Sequence, residues 1–241
     1  MQNREFIGIN FGTTNTAVVH YLNEEFGTKM THLGDEDGYP FSSVVAIPLG
    51  GGPMKFGREV RNRREELSED HEIISSIKSY LGTGKEFTIG NTSYTATDIT
   101  TEYLKSVKSF INQHHGIDIT EAGLAFPIDF TSDARKELKR AAESAGINIT
   151  RYVSESTSAF FACMDKQNFK NVIVLDWGGG TFDISILDVG ENTVEDIAVY
   201  GENIVRFYFF KRLPVICITS SRRTQTVSRT GAGMSKSLSG S

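Results

Sequence analysis

The chain predicts an α/β fold, and three observations carry that expectation. Short apolar runs with strand character alternate with longer stretches of helical period. Glycine or proline stands at most of the changes from one period to the other. Hydrophobic residues make up 39% and charged residues 23% of 241 residues. A chain of that size buries roughly 70% of its unfolded surface, so a core can form. The same composition, with a mean hydropathy of −0.24, argues against disorder, collagen-like repeats and coiled coils. No apolar run approaches the ~18–20 residues of a spanning helix. The opening residues MQNREFIGIN place an acid where a secretory signal needs apolar residues. The expectation is a cytoplasmic protein with no membrane partner. Cys163 and Cys217 form neither a CxxC pair nor a disulfide framework, which leaves redox chemistry and structural zinc unsupported.

The elements follow in order. Apolar runs at 6–11 and 17–21 flank Gly12-Thr13-Thr14-Asn15-Thr16, the pattern of strand, turn, strand. Short strands are expected at 43–47 and 55–56, across the glycine-rich loop 49–53. Residues 57–69 are charged and helix-prone. A helix over 97–115 carries Thr97 or Asp98 as N-cap, presents Tyr103, Val107, Phe110 and Ile111 on one face and stops at Gly116. A strand at 123–126 ends at Pro127. Thr131 or Ser132 then caps a helix with Ala134, Leu138, Ala141, Ala142 and Ala145 at helical spacing, closed by Gly146. Segment 154–166 reads as a further helix with Phe160, Phe161 and Met164 in the core, and strands follow at 172–175, 182–189 and 193–200.

Charge divides the chain. The net charge is −5, yet residues 205–241 hold seven Lys or Arg and no acid, which leaves −12 on residues 1–204. The basic tail sustains no regular period and reads as irregular. Its dispersed cations beside an acidic body disfavour nucleic acid as a partner.

Two turns can carry chemistry. Backbone N–H groups and hydroxyls at Gly12–Thr16 can cradle an anion, although a polar hairpin turn accounts for the same residues. In VLDWGGGTFD, a buried strand delivers Asp176 to a run of three glycines, with Asp183 beyond them. Each glycine forfeits about 0.5–1 kcal/mol against alanine in regular structure, so close backbone approach to a ligand explains the run better than chance. Asp176 and Asp183 can face a metal ion or cap a turn. Neither GxxxxGK[ST] nor GxGxxG occurs, which excludes the P-loop and dinucleotide fingerprints.

The segments IGINFGTTNTAV, IKSYLG, LAFPIDFTSDARKEL, SESTSAFFA and VIVLDWGGGTFDISIL, in this order over residues 5–204, resemble the DnaK-type heat-shock chaperone family (the 70-kDa heat-shock family). The resemblance implies an actin/hexokinase-like ATPase fold. The first lobe would span 1–170 and the opening strands of a truncated second lobe 171–204, with a non-matching tail at 205–241. It implies ATP or ADP with Mg2+, and K+ as a further ion, in a stress-response chaperone. Gly12, Thr13, Thr14 and Asn15 correspond to the first phosphate hairpin; Gly178, Gly179, Gly180 and Thr181 correspond to the second. Lys78 matches the catalytic lysine and Glu155 the acid that holds the magnesium water shell. Asp176 matches the metal-side carboxylate and Asp183 a second acid. Pro127 and Arg135 match positions that relay nucleotide state. Without the resemblance, Lys78 reads as a surface lysine, Glu155 as a helix-capping acid, Pro127 as a strand terminator and Arg135 as an exposed helix residue. A J-domain protein and a nucleotide exchange factor are the partners implied for full-length relatives.

Two residues depart from the family. Asn10 stands where an aspartate usually faces the metal. At ~4 Å the missing attraction is about 1 kcal/mol in water and about 4 at an effective dielectric of 20, enough to weaken hydrolysis. Ser156 replaces the proline after the glutamate, which questions the rigidity of that helix start. The expectation is an ATP-binding module with weak or absent hydrolysis, and the alternative is a non-enzymatic scaffold, regulator or inactive fragment.

Overall fold

A computed structural model describes residues 4–24, 27–163, 170–177, 182–190, 193–202, 216–219 and 225–228. The chain divides into two units, Met1–Ser154 and Glu155–Ser241.

In the first unit, β1 (Arg4–Phe11) and β2 (Asn15–Glu24) form the expected hairpin, and β3 (Gly27–Leu33) extends it. The short β4 (Phe41–Ser42) pairs with the start of β2, and β5 (Val44–Pro48) lies between β6 (Lys55–Phe56) and β7 (His71–Ser75) in a separate sheet. The charged stretch expected as one helix is two, α1 (Gly57–Asn62) and α2 (Arg64–Leu67), broken at Arg63. A 3-10 turn at Ile77–Tyr80 leads to the hairpin of β8 (Glu86–Ile89) and β9 (Thr92–Thr95), and α3 (Ala96–His115) follows. The cap of α3 is Thr95 and not Thr97 or Asp98. The Thr95 hydroxyl accepts from the Asp98 N–H at 3.1 Å, and the Asp98 carboxylate accepts from the Thr95 N–H at 2.9 Å, a capping box. Gly116, with φ 68°, closes the helix as expected.

Strand β10 (Glu121–Phe126) runs parallel to β1, and β11 (Asn148–Ser154) runs parallel to β10. Between them lies α4 (Ser132–Ser144), capped by Thr131. The main sheet therefore has the order β11-β10-β1-β2-β3. Its inward residues Ile7, Ile9, Phe11, Val18 and Leu124 pack with Ile99, Tyr103, Leu104 and Leu138 of α3 and α4. Alternation along β1 decides this: Ile7, Ile9 and Phe11 point into the core while Phe6 and Asn10 are exposed.

In the second unit, α5 (Glu155–Cys163) is shorter than the expected 154–166; Ser154 ends β11, and Met164 lies outside the described residues. Phe160 is buried with Val172, Val174 and Leu187, but Phe161, expected in the core, is 65% exposed. The helix packs on strands of its own unit, Glu155–Ser241. Strands β12 (Asn171–Trp177), β13 (Phe182–Val189) and β14 (Val194–Glu202) form an antiparallel sheet. Its other flank is β15 (Ile216–Thr219) and then β16 (Gln225–Ser228), two strands within the tail read as irregular. Their pairing is local to four residues each, too short for a period to register in sequence. Among the described residues no helix is long and apolar enough to cross a membrane.

Candidate functional site

The first hairpin closes where β1 passes into β2. Phe11 and Thr16 are the last paired residues, and the Gly12 N–H donates to the Asn15 carbonyl at 3.0 Å. Glycine is needed here for space and not for a positive φ: a Cβ on Gly12 would lie 2.4 Å from that carbonyl oxygen. Thr14 and Asn15 are exposed, while Gly12 and Thr13 are half-buried. The Ser43 N–H donates to the Thr14 carbonyl at 2.9 Å and fastens the turn to the β4–β5 junction. Beneath it the Tyr103 hydroxyl donates to Thr16 Oγ1 at 3.0 Å, and Thr16 Oγ1 shares a further bond with Ser43 Oγ at 3.0 Å. Burial pushes the Tyr103 phenol up to about 12, against the opposing pull of the Thr16 and Ser43 hydrogen bonds. Asn10, one residue before the end of β1, is exposed beside the turn and pairs with Ala17 and Ala125.

Lys78 is not a surface residue. It sits in the 3-10 turn, 5% exposed, with Nζ 5.6 Å from the centroid of the Phe130 ring. The turn is entered through Ser76 at φ 59°, ψ 37°, the one positive-φ residue other than glycine among the described residues. A non-glycine residue held there costs of order 1–3 kcal/mol and persists only where its surroundings over-determine it. Phe130 belongs to the turn that opens at Pro127, whose carbonyl accepts from the Phe130 N–H at 3.1 Å. Arg135, solvent-exposed as expected, is nevertheless engaged. Its Nε donates to the Phe130 carbonyl at 2.9 Å, its Nη2 donates to the Ile128 carbonyl at 2.7 Å, and its guanidinium lies 4.6 Å over Phe126. The Gly82 N–H donates to Glu137 Oε2 at 2.9 Å, which joins the lysine turn to α4.

In the second unit, Asp176 and Asp183 are Cα partners across the β12–β13 hairpin, so the register sets two half-buried carboxylate residues side by side. Glu155 opens α5 and falls in its first turn, where the helix dipole favours an anion. The helix start is fixed. Ser156 Oγ and Ser185 Oγ share a buried bond of 2.5 Å, and the Thr157 hydroxyl donates to Asp196 Oδ2 at 3.2 Å. Ser156 therefore tethers α5 to β13 where a proline could not. Gly178, Gly179, Gly180 and Thr181, and the side chain of Trp177, lie outside the described residues. Paired carboxylates supply hard oxygen donors of the kind that suits Mg2+. Among the described residues no three His, Cys, Asp or Glu gather into a metal-holding group.

Sequence reasoning placed Tyr103 in the core by its helical spacing and gave its hydroxyl no role. It also missed Ser43 and Ser76, for which no motif exists; only the packing shows them. Lys78, Phe130 and Arg135 form one connected constellation in the first unit, and Glu155, Asp176 and Asp183 stand in the second.

A family model described as Hsp70 protein matches residues 58–204, more than half of the chain. The match takes in Lys78, Glu155, Asp176, the three glycines and Asp183. It begins beyond the first hairpin and ends next to the point where the net charge changes sign. The chain, a mixed α/β structure, belongs to the Hsp70 protein family, and the match suggests a chaperone ATPase module.

Proposed function

We propose that the chain is the ATP-binding module of a DnaK-type chaperone, in which Gly12–Asn15 and Gly178–Thr181 grip the phosphates and hydrolysis is weak or absent. The supporting observation is the burial of Lys78. Its Nζ lies by the Phe130 ring, and the turn that carries it is entered through a left-handed serine, backbone strain of the kind that clusters at functional sites. The chemistry of Lys78 is to hold positive charge where negative charge grows on a transferring γ-phosphoryl group. Mg2+, when bound, neutralises phosphate charge; Asp176, Asp183 and Asn10 are the residues that would face it, with Glu155 ordering its water shell. K+ would add a monovalent charge beside it. Asn10 supplies no negative charge, and this supports slow turnover. It equally supports the second reading, a nucleotide-fold scaffold or regulator without catalysis. A cytoplasmic stress-response role, and engagement of a J-domain protein or an exchange factor in full-length relatives, belong to the same proposal.

Trp177, the sole tryptophan, adjoins Asp176 and reports on the site. Titration with ATP should give a saturable emission change that requires magnesium. No change, in a chain that still unfolds cooperatively, refutes the nucleotide reading. Where binding occurs, Lys78→Ala should lower turnover with little loss of affinity. Asn10→Asp should raise turnover if the chain is a weakened enzyme and leave it unmoved if it is a scaffold.

A further inference from the structure

We infer that Tyr103 is a positioning residue for the first phosphate hairpin, setting the turn before any ligand arrives. The inference rests on the nucleotide reading only for what the turn would hold. Phe11 and Thr16 close the hairpin as its last paired residues. Tyr103, projecting from α3, engages both: its ring centroid lies 5.7 Å from that of Phe11, and its hydroxyl donates to Thr16 Oγ1 at 3.0 Å. One side chain therefore spans the two ends of the turn. The Phe41 carbonyl, at 3.4 Å, is a second acceptor for the same hydroxyl. From Thr16 the bonding passes to Ser43 Oγ, and the Ser43 backbone N–H returns to the Thr14 carbonyl inside the turn. The circuit is closed.

Its three hydroxyls are shut away from water, with Tyr103, Thr16 and Ser43 at 1%, 0% and 2% exposure. A buried hydroxyl left without a partner is costly, and a satisfied network specifies one arrangement. The turn can shift only by breaking at least one of these bonds. Donors held in place beforehand lower the ordering cost of binding an anion. None of the three hydroxyl residues Tyr103, Thr16 and Ser43 stands among the residues assigned to phosphate, lysine or metal, so their effect on a ligand is exerted through the backbone of Gly12–Asn15, which the circuit joins at the Thr14 carbonyl.

Two amides report on the turn directly, the Gly12 N–H bonded to Asn15 and the Ser43 N–H bonded to Thr14. The full chain, its Tyr103→Phe variant and a Val107→Ala control are compared by amide hydrogen exchange and by MgADP titration. Val107 is buried one turn further along α3 and lies outside the circuit. In Tyr103→Phe the ring remains on Phe11, and the Gly12 and Ser43 amides should exchange roughly tenfold faster while those of β10 and β11 hold their rates. The control should produce no such selectivity. Uniform acceleration like that of the control, or no acceleration, overturns the inference. If the unaltered chain binds MgADP, Tyr103→Phe should bind it about fivefold more weakly at matched stability; equal affinity overturns the positioning role. If the unaltered chain binds no nucleotide, the function proposal fails by itself, and the exchange comparison still decides the role of Tyr103.

Discussion

Ser156 and Lys78 show how far a residue's neighbours can alter its meaning. By itself a serine in place of a proline reads as a loss of rigidity. The Ser185 hydroxyl beneath it turns the same change into a buried tie between α5 and β13. Ser156→Ala removes one partner and strands the other. The expected cost is about 1–3 kcal/mol, read as a lower urea midpoint, with Ser156→Ala/Ser185→Ala recovering part of it. A destabilisation below ~0.3 kcal/mol would show that the bond contributes nothing. Lys78 likewise reads as a solvated lysine until the fold places Phe130 over its ammonium and buries its stem. No local pattern in IKSYLG announces that burial, because the residues responsible lie some 50 positions away in α4 and the turn before it.

At the scale of elements, α3 and α4 were legible because their apolar residues recur at helical spacing and their ends carry recognisable residues. Even so, the cap of α3 lies two or three residues before the expected Thr97 or Asp98, since Thr95, Thr97 and Asp98 all suit the role and only the reciprocal bonds distinguish them. Thr95→Ala should lower stability by about 0.5–2 kcal/mol, whereas Thr97→Ala should not act through the cap; equal losses in thermal denaturation would contradict that assignment. The β8–β9 hairpin went unread, although its two-residue connection Gly90-Asn91, with Gly90 at φ 59°, is a turn signal. β3 had no such signal. Its residues GTKMTHL are mostly polar, and its place at the end of the sheet comes from pairing with β2 alone. Of the candidate site, the first turn and the acids Glu155, Asp176 and Asp183 were legible as motifs, while the supports beneath the first turn were not.

For the molecule as a whole, Tyr103 ties stability to alkaline pH. Its phenol is raised from an ordinary 10 to about 12 in the folded chain by burial. Above pH 10 the unfolded chain releases this proton while the folded chain keeps it, so stability falls as pH rises. The contribution is complete below pH 10 and is lost by about pH 12. A shift of this size corresponds to about 3 kcal/mol. Urea midpoints between pH 8 and 11 should fall less steeply for Tyr103→Phe than for the unaltered chain; parallel curves would contradict the burial of the phenol. Tyr152 on β11, moved in the same direction by burial first, is half-exposed and should contribute little.

The circuit beneath the first hairpin also constrains the order in which the chain can mature during synthesis. Thr16 and Tyr103 are separated by 87 positions, and β1 waits longer still for β10, since Gly8 pairs with Gly123. At a synthesis rate of about 5–20 residues per second, the nascent turn spends roughly 4–17 s outside the ribosome before its support exists. Through that interval Gly12–Asn15 is joined only to partners no further along the chain than Ser43, and a ribosome-bound holding factor would meet the first hairpin without its buried support.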